Sequence, residues 1–137
     1  MQRFKDREVY GILAEWGDNM VSAMHQFKAE LFKALGHPVR LRILETLRAG
    51  EQTVGDLHRA LTLEPSSVSQ QLAILRAHQL VDARKDGTSV WYSVRDPLIF
   101  DILDYARAIF EHQVSAMSSV LAADAEAARE GRLPPQV

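Results

Sequence analysis

A run of small polar side chains between Glu64 and His78 has the clearest chemical use in this sequence. A solvent-facing helix usually carries lysine, glutamate and arginine, whereas this segment carries hydroxyls and amides: Ser66, Ser67, Ser69, Gln70 and Gln71. Serine hydroxyls can donate to phosphate oxygens, and a glutamine amide can form two hydrogen bonds with the major-groove edge of adenine. These residue types, called the Ser/Gln face below, are therefore suited to contacting duplex DNA, although a polar helix face without a ligand would look the same.

A second polar group surrounds Asp86-Gly87. Asp-Gly between two β-prone runs, Leu80–Lys85 and Ser89–Val94, indicates a hairpin with a tight turn. Two cations and two hydroxyls flank that turn: Arg84, Lys85, Thr88 and Ser89. A tip of this composition can contact the phosphate backbone or the minor groove, and a solvated turn without a ligand is the alternative.

Two residues further upstream are candidates for phosphate contact. Arg40 follows the helix-breaking Gly36-His37-Pro38, and its guanidinium can pair either with a phosphate or with neighbouring groups of the protein. Thr53 stands at a predicted helix start, where its hydroxyl can cap the helix and where the helix N-terminus favours a phosphate oxygen.

The remaining chemistry-bearing residues form no set typical of catalysis. Four histidines, His25, His37, His58 and His78, fall on different predicted elements, where each is expected to be a surface or capping residue. The sequence has no cysteine, which excludes disulfides, thiolate ligands and thiol redox chemistry. It also has no glycine-rich phosphate loop and no G-x-S-x-G motif, so we predict neither an enzyme nor a cofactor.

The elements that position the polar groups lie between Thr53 and Val94. Apolar residues at three- and four-residue steps predict a short helix from Thr53 and a second helix from Pro65 to Ala77. Proline suits the first position of a helix, because its missing N–H is not needed there. The inward stripes of the two helices are expected to be Val54, Leu57 and Leu61, then Val68, Leu72 and Leu75.

Longer apolar stripes flank this region on both sides. Residues 6–35 are predicted to be helical, with Gly17-Asp18 as a candidate break, and a last helix is predicted to start at Asp96-Pro97. The first stripe comprises Val9, Ile12, Leu13, Trp16, Met20, Met24, Phe27 and Leu31, and the last runs from Ile99 to Leu121. Both stripes exceed what a small core covers, so we expect a second subunit to cover them. An N-terminal arm folded back on its own domain is the alternative.

The order helix, turn, helix and basic hairpin resembles a winged helix-turn-helix. Residues 32–44 resemble the signature L-x-A-L-x-x-P-x-R-L-x-I-L of the ArsR/SmtB family of bacterial repressors. Residues 67–72 resemble that family's recognition helix, and Asp86-Gly87 with Trp91-Tyr92-Ser93 resembles its wing; the resemblance extends from about residue 28 to 112. Glu64 and Gln79 depart from the pattern, since the family more often has a small capping residue and a glycine there.

The resemblance also implies where metal would bind in relatives. One family site uses cysteines in the helix that begins at Thr53, and this sequence has none. A second site uses four ligands on the last helix and the segment before it. Alignment places Asp96 and His112 at its outer positions, but Leu98 and Ile109 at its inner positions. Since a structural zinc site needs four ligands, Asp96 and His112 are weak metal candidates and no metal is predicted.

Charge is unevenly distributed along the chain. Of its 137 residues, 47% are hydrophobic and 25% charged, which is typical of a globular protein, and the net charge is −2. Residues 28–95 contain ten Lys/Arg against seven Asp/Glu, residues 1–27 three against four, and residues 96–137 three against seven. The central segment is thus mildly basic, and its nonspecific DNA binding should be weak and salt-sensitive. No apolar run has the length of a membrane span and the N-terminus does not resemble a signal peptide, so a cytoplasmic location is expected.

These observations predict a mainly α fold with a small β-hairpin wing, a winged helix-turn-helix that dimerises through its N- and C-terminal helices. We expect a helical dimerisation arm over 1–27, a DNA-binding domain over 28–95, a dimerisation helix over 96–122 and a flexible tail over 123–137. The predicted function is that of a sequence-specific DNA-binding transcriptional regulator, a homodimeric repressor on an inverted-repeat operator. Two alternatives stay open: a winged-helix protein-interaction module without DNA binding, and a regulator with a small-molecule or metal inducer at the dimer interface.

Overall fold

The computed structural model describes the backbone of residues 2–131 and the side chains of residues 17 and 19–131. Within that part of the chain the elements follow the order helix, helix, helix, helix, hairpin, helix. They are α1 (Gln2–Leu35), α2 (Pro38–Leu47), α3 (Val54–Leu61), α4 (Pro65–Ala77), β1 (Val81–Asp86), β2 (Ser89–Val94) and α5 (Leu98–Arg129). The chain divides into two compact units, residues 1–96 and 97–137. The predicted winged helix-turn-helix fold is confirmed.

The core of the first unit is formed by the inward faces of α2, α3 and α4, which pack against one another. Ile43, Leu44, Leu57, Leu72 and Leu75 have no exposed surface. Burying a leucine or isoleucine side chain contributes roughly 1.5–3 kcal/mol each, so this cluster is the main source of stability in the unit. The predicted inward residues of α4, including Val68, are all fully buried.

Local signals set where these helices begin. His37 caps α2 by accepting a hydrogen bond at Nδ1 from the N–H of Val39, 3.2 Å away. Thr53 caps α3, and Pro65 occupies the first turn of α4, as predicted. Glu64 stands at the N-cap of α4 but makes no capping bond with its side chain, so that helix start lacks a side-chain cap.

The predicted break in the first helix is confirmed at Gly17, whose φ is 72°. Glycine adopts this left-handed backbone without the steric cost that a Cβ would bring. Of the predicted α1 stripe, Val9, Ile12, Leu13 and Trp16 lie outside the described side chains. Phe27 is 67% exposed, whereas Ala34 and Leu35 at the end of α1 are buried.

The wing, residues 81–94, is an antiparallel hairpin in which Asp86 pairs with Ser89. Its two-residue loop is Gly87-Thr88, and Gly87 has a φ of 60°, the positive value that the first position of such loops requires. Gln52 adds an isolated bridge beside Tyr92, with N–H to carbonyl bonds of 3.0 and 2.8 Å. The bridge ties the base of the wing to the segment before α3.

The last helix continues beyond its expected end. We predicted a flexible tail from residue 123, but α5 extends to Arg129 because the residues after Ala122 are mostly alanine, glutamate and arginine, which favour helix. Residues 132–137 of the predicted tail lie outside the described part of the chain. No helix of the described residues has the length and apolar character needed to cross a lipid bilayer.

The end of α4 has the common geometry of a helix C-terminus but lacks the glycine that usually accompanies it. The N–H groups of Leu80 and Gln79 bond to the carbonyls of Leu75 and Arg76 at 2.9 and 3.0 Å, the two bonds of a Schellman motif. The left-handed residue of that motif is Gln79, with a φ of 59°, where glycine is usual. Arg95 donates to the Oε1 atom of Gln79 at 3.2 Å.

Replacing Gln79 by glycine should therefore stabilise the protein. A left-handed non-glycine residue costs roughly 1–2 kcal/mol, and a glycine loses about 0.5–1 kcal/mol more conformational entropy on folding, so Gln79→Gly should gain about 0.5–1 kcal/mol. Gln79→Ala is the matched control, because it keeps the strain and loses the Arg95 bond. Urea unfolding should rank glycine above wild type and alanine below it; a glycine variant less stable than wild type would contradict the assignment of strain.

Candidate nucleic-acid interface

The outer side of α4 presents most of the Ser/Gln face to solvent. Ser66, Ser67, Ser69 and Gln70 are exposed, while the opposite stripe of the helix is fully buried. The helical period separates the two sets, because Val68, Leu72 and Leu75 hold one side of α4 against the core. Hydroxyls and an amide are thus available for hydrogen bonds on a convex helix surface.

Gln71 differs from the other members of that face. It is half-buried, and its Oε1 atom accepts a hydrogen bond from Nη1 of Arg40 at 3.0 Å. Arg40 also donates from Nε to the carbonyl of Ala34 at 2.6 Å and from Nη2 to the carbonyl of Lys33 at 3.3 Å. The guanidinium of Arg40, a candidate for phosphate contact, is therefore occupied with acceptors inside the protein, and it joins the end of α1 to α4.

Thr53 is half-buried and belongs to a capping box. Its hydroxyl oxygen accepts from the N–H of Asp56, and the carboxylate of Asp56 accepts from the N–H of Thr53, both at 3.1 Å. The backbone N–H of Thr53, more than any other group, holds the pKa of Asp56 below its ordinary value of 3.8. Any phosphate approaching Thr53 would meet this carboxylate, whose charge is partly balanced by Arg59 at 2.8 Å.

The two cations of the wing differ in whether they are paired with a carboxylate. Arg84 donates from Nε and Nη2 to the two carboxylate oxygens of Glu51, at 3.2 and 2.8 Å, and lies 3.7 Å from Asp86. Lys85 is exposed and has no hydrogen-bond or ion-pair partner among the described residues. Thr88 and Ser89 are exposed beside it. Only one of the two predicted cations therefore carries an unpaired charge.

The pairing of Arg84 also changes the titration of its partner. Hydrogen bonds from Arg84, and then its positive charge, hold the pKa of Glu51 below its ordinary value of 4.5. Glu51 in turn raises the pKa of Arg84. Both side chains are half exposed, so solvent screens the pair and its contribution to stability is small.

Sequence reasoning missed one cation on α4. Arg76 is exposed, has no partner among the described side chains, and lies two helical turns after Ser69 on the same side of the helix. An open groove of about 350 Å³ separates this side of α4 from β2, and it is lined by Ser69, Leu72, Ala73, Arg76, Ala77 and Tyr92. The seven-residue spacing of Ser69 and Arg76 was the signal that could have identified it.

The histidines and the weak metal candidates form no metal site among the described residues. His37 is a helix cap, and Nδ1 of His58 forms a hydrogen bond with the carbonyl of Leu63, so both have structural partners. Asp96 lies between β2 and α5, and His112 is an exposed residue of α5. Among the described residues no three His, Asp or Glu side chains lie close enough together to hold a metal ion.

The chain is similar to bacterial transcriptional regulators in sequence and in structure. The family model described as bacterial regulatory protein, arsR family, matches residues 37–83. The HTH-type transcriptional regulator Rv0081 of Mycobacterium tuberculosis is 41% identical over 99 residues, which cover 72% of this chain and 87% of that protein. Its crystal structure superimposes with a TM-score of 0.63 over 69% of this chain and 96% of that one.

Two further solved structures share the fold. NolR from Sinorhizobium fredii is 32% identical, with a TM-score of 0.60, and the match covers 66% of this chain and 91% of that one. The homodimeric winged helix-turn-helix DNA-binding domain of Mb0332 from Mycobacterium bovis is 27% identical, with a TM-score of 0.60 over 66% of this chain and 83% of that one.

Removing Arg84 should restore an ordinary pKa to Glu51. Since the pKa of Glu51 is lowered in the folded protein, the pair stabilises the fold above pH 4.5, and this contribution is lost as the pH falls through the lowered pKa. In Arg84→Gln, carboxyl NMR titration should show Glu51 back near 4.5, with Asp56 still lowered as the internal control. An unchanged Glu51 titration would show that Arg84 is not its partner in solution.

Proposed function

Because this chain belongs to the ArsR family of bacterial regulatory proteins, we propose that it is a homodimeric repressor that binds an inverted-repeat DNA operator. The observation that carries the proposal is the exposed hydroxyl and amide surface of α4 beside a wing with an unpaired lysine. In winged helix-turn-helix proteins the second helix of the motif enters the major groove. Here α4 would do so, with the wing reaching the backbone or the minor groove.

The contacts can be divided by the chemistry of the side chains. The exposed serines of α4 suit phosphate oxygens or base edges, and Gln70 and Gln71 suit base edges, because an amide both donates and accepts. Lys85, Thr88 and Ser89 suit the sugar-phosphate backbone. Thr53 and Arg40 support this surface through their internal bonds and are weaker candidates for direct contact.

Electrostatics should make binding moderate and dependent on salt. Arg84 is neutralised by Glu51, and Arg40 is occupied inside the protein, so the cations open to a phosphate on this surface are chiefly Lys85 and Arg76. Each phosphate neutralised releases condensed counterions, and affinity falls with salt accordingly. We expect this protein to rely on sequence-specific contacts rather than on bulk charge.

A homodimer is supported by the surface of α5. Large apolar side chains on one broad side of this helix are at least half exposed: Leu98, Tyr105, Ile109, Phe110, Val114, Met117, Val120 and Leu121. Leaving so much apolar surface in water is unfavourable, and a second copy of the helix would cover it. Two subunits would then place two copies of α4 about one helical turn of DNA apart, roughly 34–36 Å, on an inverted repeat.

The exposed side of α5 also favours a second candidate function, in which the winged helix only displays apolar helices to a partner protein. One experiment separates the two. A fragment carrying the protein's own promoter should be retarded in a gel at moderate salt if the chain is a DNA-binding repressor, and unlabelled promoter should compete better than unrelated DNA. No retardation at any protein concentration, with the protein folded, would reject the proposal in favour of the interaction module.

The two wing cations should differ in their effect on salt dependence. Lys85→Ala should weaken binding to all sequences and reduce the slope of log affinity against log salt by about 1, as expected for one lost phosphate contact. Arg84→Ala is the matched control and should change the slope less, because Glu51 already neutralises that charge. Equal slopes for Lys85→Ala and wild type would contradict a phosphate contact at Lys85.

A charge in the apolar side of α5 should prevent dimerisation. Val114 is 50% exposed on that side, and an aspartate there would be buried unpaired in a dimer interface. Val114→Asp should therefore sediment as a monomer and lose operator affinity. Ser115→Asp adds the same charge to an exposed position of α5 that faces away from the apolar side, and should remain dimeric. A dimeric Val114→Asp would place the interface elsewhere.

A further inference from the structure

The amide of Gln71 is held in one orientation by Arg40. A guanidinium group has only donors, so the atom of the glutamine amide that faces Nη1 of Arg40 at 3.0 Å must be the oxygen. Rotating the amide by 180° would place its NH2 group against the N–H groups of Arg40. The hydrogen bond would be lost, and two donors would face each other. The orientation follows from chemistry and does not depend on how the two amide atoms are assigned.

Arg40 is itself fixed by the end of α1. Its Nε and Nη2 atoms bond to the carbonyls of Ala34 and Lys33 at 2.6 and 3.3 Å, and the side chain is half-buried. With three bonds to two other elements, the guanidinium cannot follow a moving glutamine without breaking contacts to α1. Arg40 is therefore suited to hold Gln71 in position before any DNA is bound.

The NH2 group of Gln71 is left available. Nε2 has no hydrogen-bond partner among the described residues, and in that part of the chain no buried side-chain nitrogen or oxygen lacks a partner. Nε2 is therefore accessible to solvent, on the flank of α4 next to the exposed Ser67 and Gln70. Toward a ligand, Gln71 offers two N–H donors, while its oxygen is directed at Arg40, which already uses one of its two lone pairs.

We propose that Arg40 is a positioning residue that makes Gln71 a donor-only reader, which selects guanine over adenine at its base pair. This inference rests on the proposed function. Guanine presents two acceptors in the major groove, N7 and O6, and both can receive N–H groups of one amide. Adenine presents one acceptor and one donor, so the usual paired contact of glutamine with adenine needs the oxygen that Arg40 holds.

Gln70 provides an internal comparison on the same helix. Its side chain is exposed and has no hydrogen-bond partner among the described residues, so its amide is free to adopt either orientation. Gln70 can therefore make the paired contact with adenine that the fixed amide of Gln71 disfavours. Two adjacent glutamines thus have different base preferences, and the difference comes from a residue on α2.

The test is a selection of bound duplexes from a randomised pool by the full-length protein. Gln71→Ala identifies the base pair whose preference depends on Gln71, and at that pair the wild type should prefer guanine over adenine by about tenfold. Arg40→Met removes the donors and should let adenine bind as well as guanine at this pair alone. Arg42→Met is the matched control, because Arg42 is on the same helix but bonds to the carbonyl of Leu61.

A second variant keeps the test decisive if Arg40→Met does not fold. Gln71→Glu retains an acceptor for Arg40 and presents another acceptor outward, so preference should move to a base with an exposed amino group, cytosine or adenine. A merely structural role for Arg40 would lower affinity for all sequences and leave base preference unchanged.

The possible failures can be told apart. Three results would overturn the inference and leave the repressor proposal intact. The wild type could prefer adenine at the base pair that depends on Gln71, or no base pair could depend on Gln71. The base preference could also be unchanged in both Arg40→Met and Gln71→Glu. A folded wild type that selects no sequence would overturn the repressor proposal, and the inference with it.

Discussion

The burial of one stripe of α4 against α2 and α3 is the constraint on which the interface depends. Val68, Leu72 and Leu75 are fully buried, and a helix that is held by one side must present the opposite side outward. The exposure of the Ser/Gln face is consequently a result of core packing, and no other interaction is needed to explain it. Because the same leucines provide much of the core, a change that loosens α4 would affect stability and the presented surface together.

Arginine side chains connect the elements around that core and are largely occupied there. Arg40 joins α1 to α4, and Arg42 bonds to the carbonyl of Leu61 at the end of α3. Arg95, which follows β2, bonds to Asp82 of the wing and to Gln79 at the end of α4. Arg84 joins the wing to Glu51. This arrangement explains how a chain of net charge −2 can have a basic central segment and still expose few unpaired cations for phosphate.

Much of the fold could be predicted because its signals are local. The cap at Thr53, the helix start at Pro65 and the break at Gly17 depend on residues a few positions apart, and each was found where it was expected. The hairpin was also found, with its two-residue loop at Gly87-Thr88, one position after the expected Asp86-Gly87. The predicted end of α5 was wrong, because the strong helix formers between Ala122 and Arg129 continue the helix up to the glycine at position 131. Gln79 keeps the helix-ending geometry of a glycine although its side chain disfavours that geometry.

The sequence by itself determined the order of elements, the buried sides of α3 and α4 and the residue types available on α4 and the wing. Helical and strand periods report which way a side chain faces within its own element, and that information is local. Only the tertiary structure decided which of these polar groups are paired within the protein and which remain available for contact with a ligand. Arg84 and Glu51 are 33 positions apart, and Arg40 and Gln71 are 31 apart, so their pairing depends on how separate elements pack. No spacing rule within one helix or strand can specify such a pair.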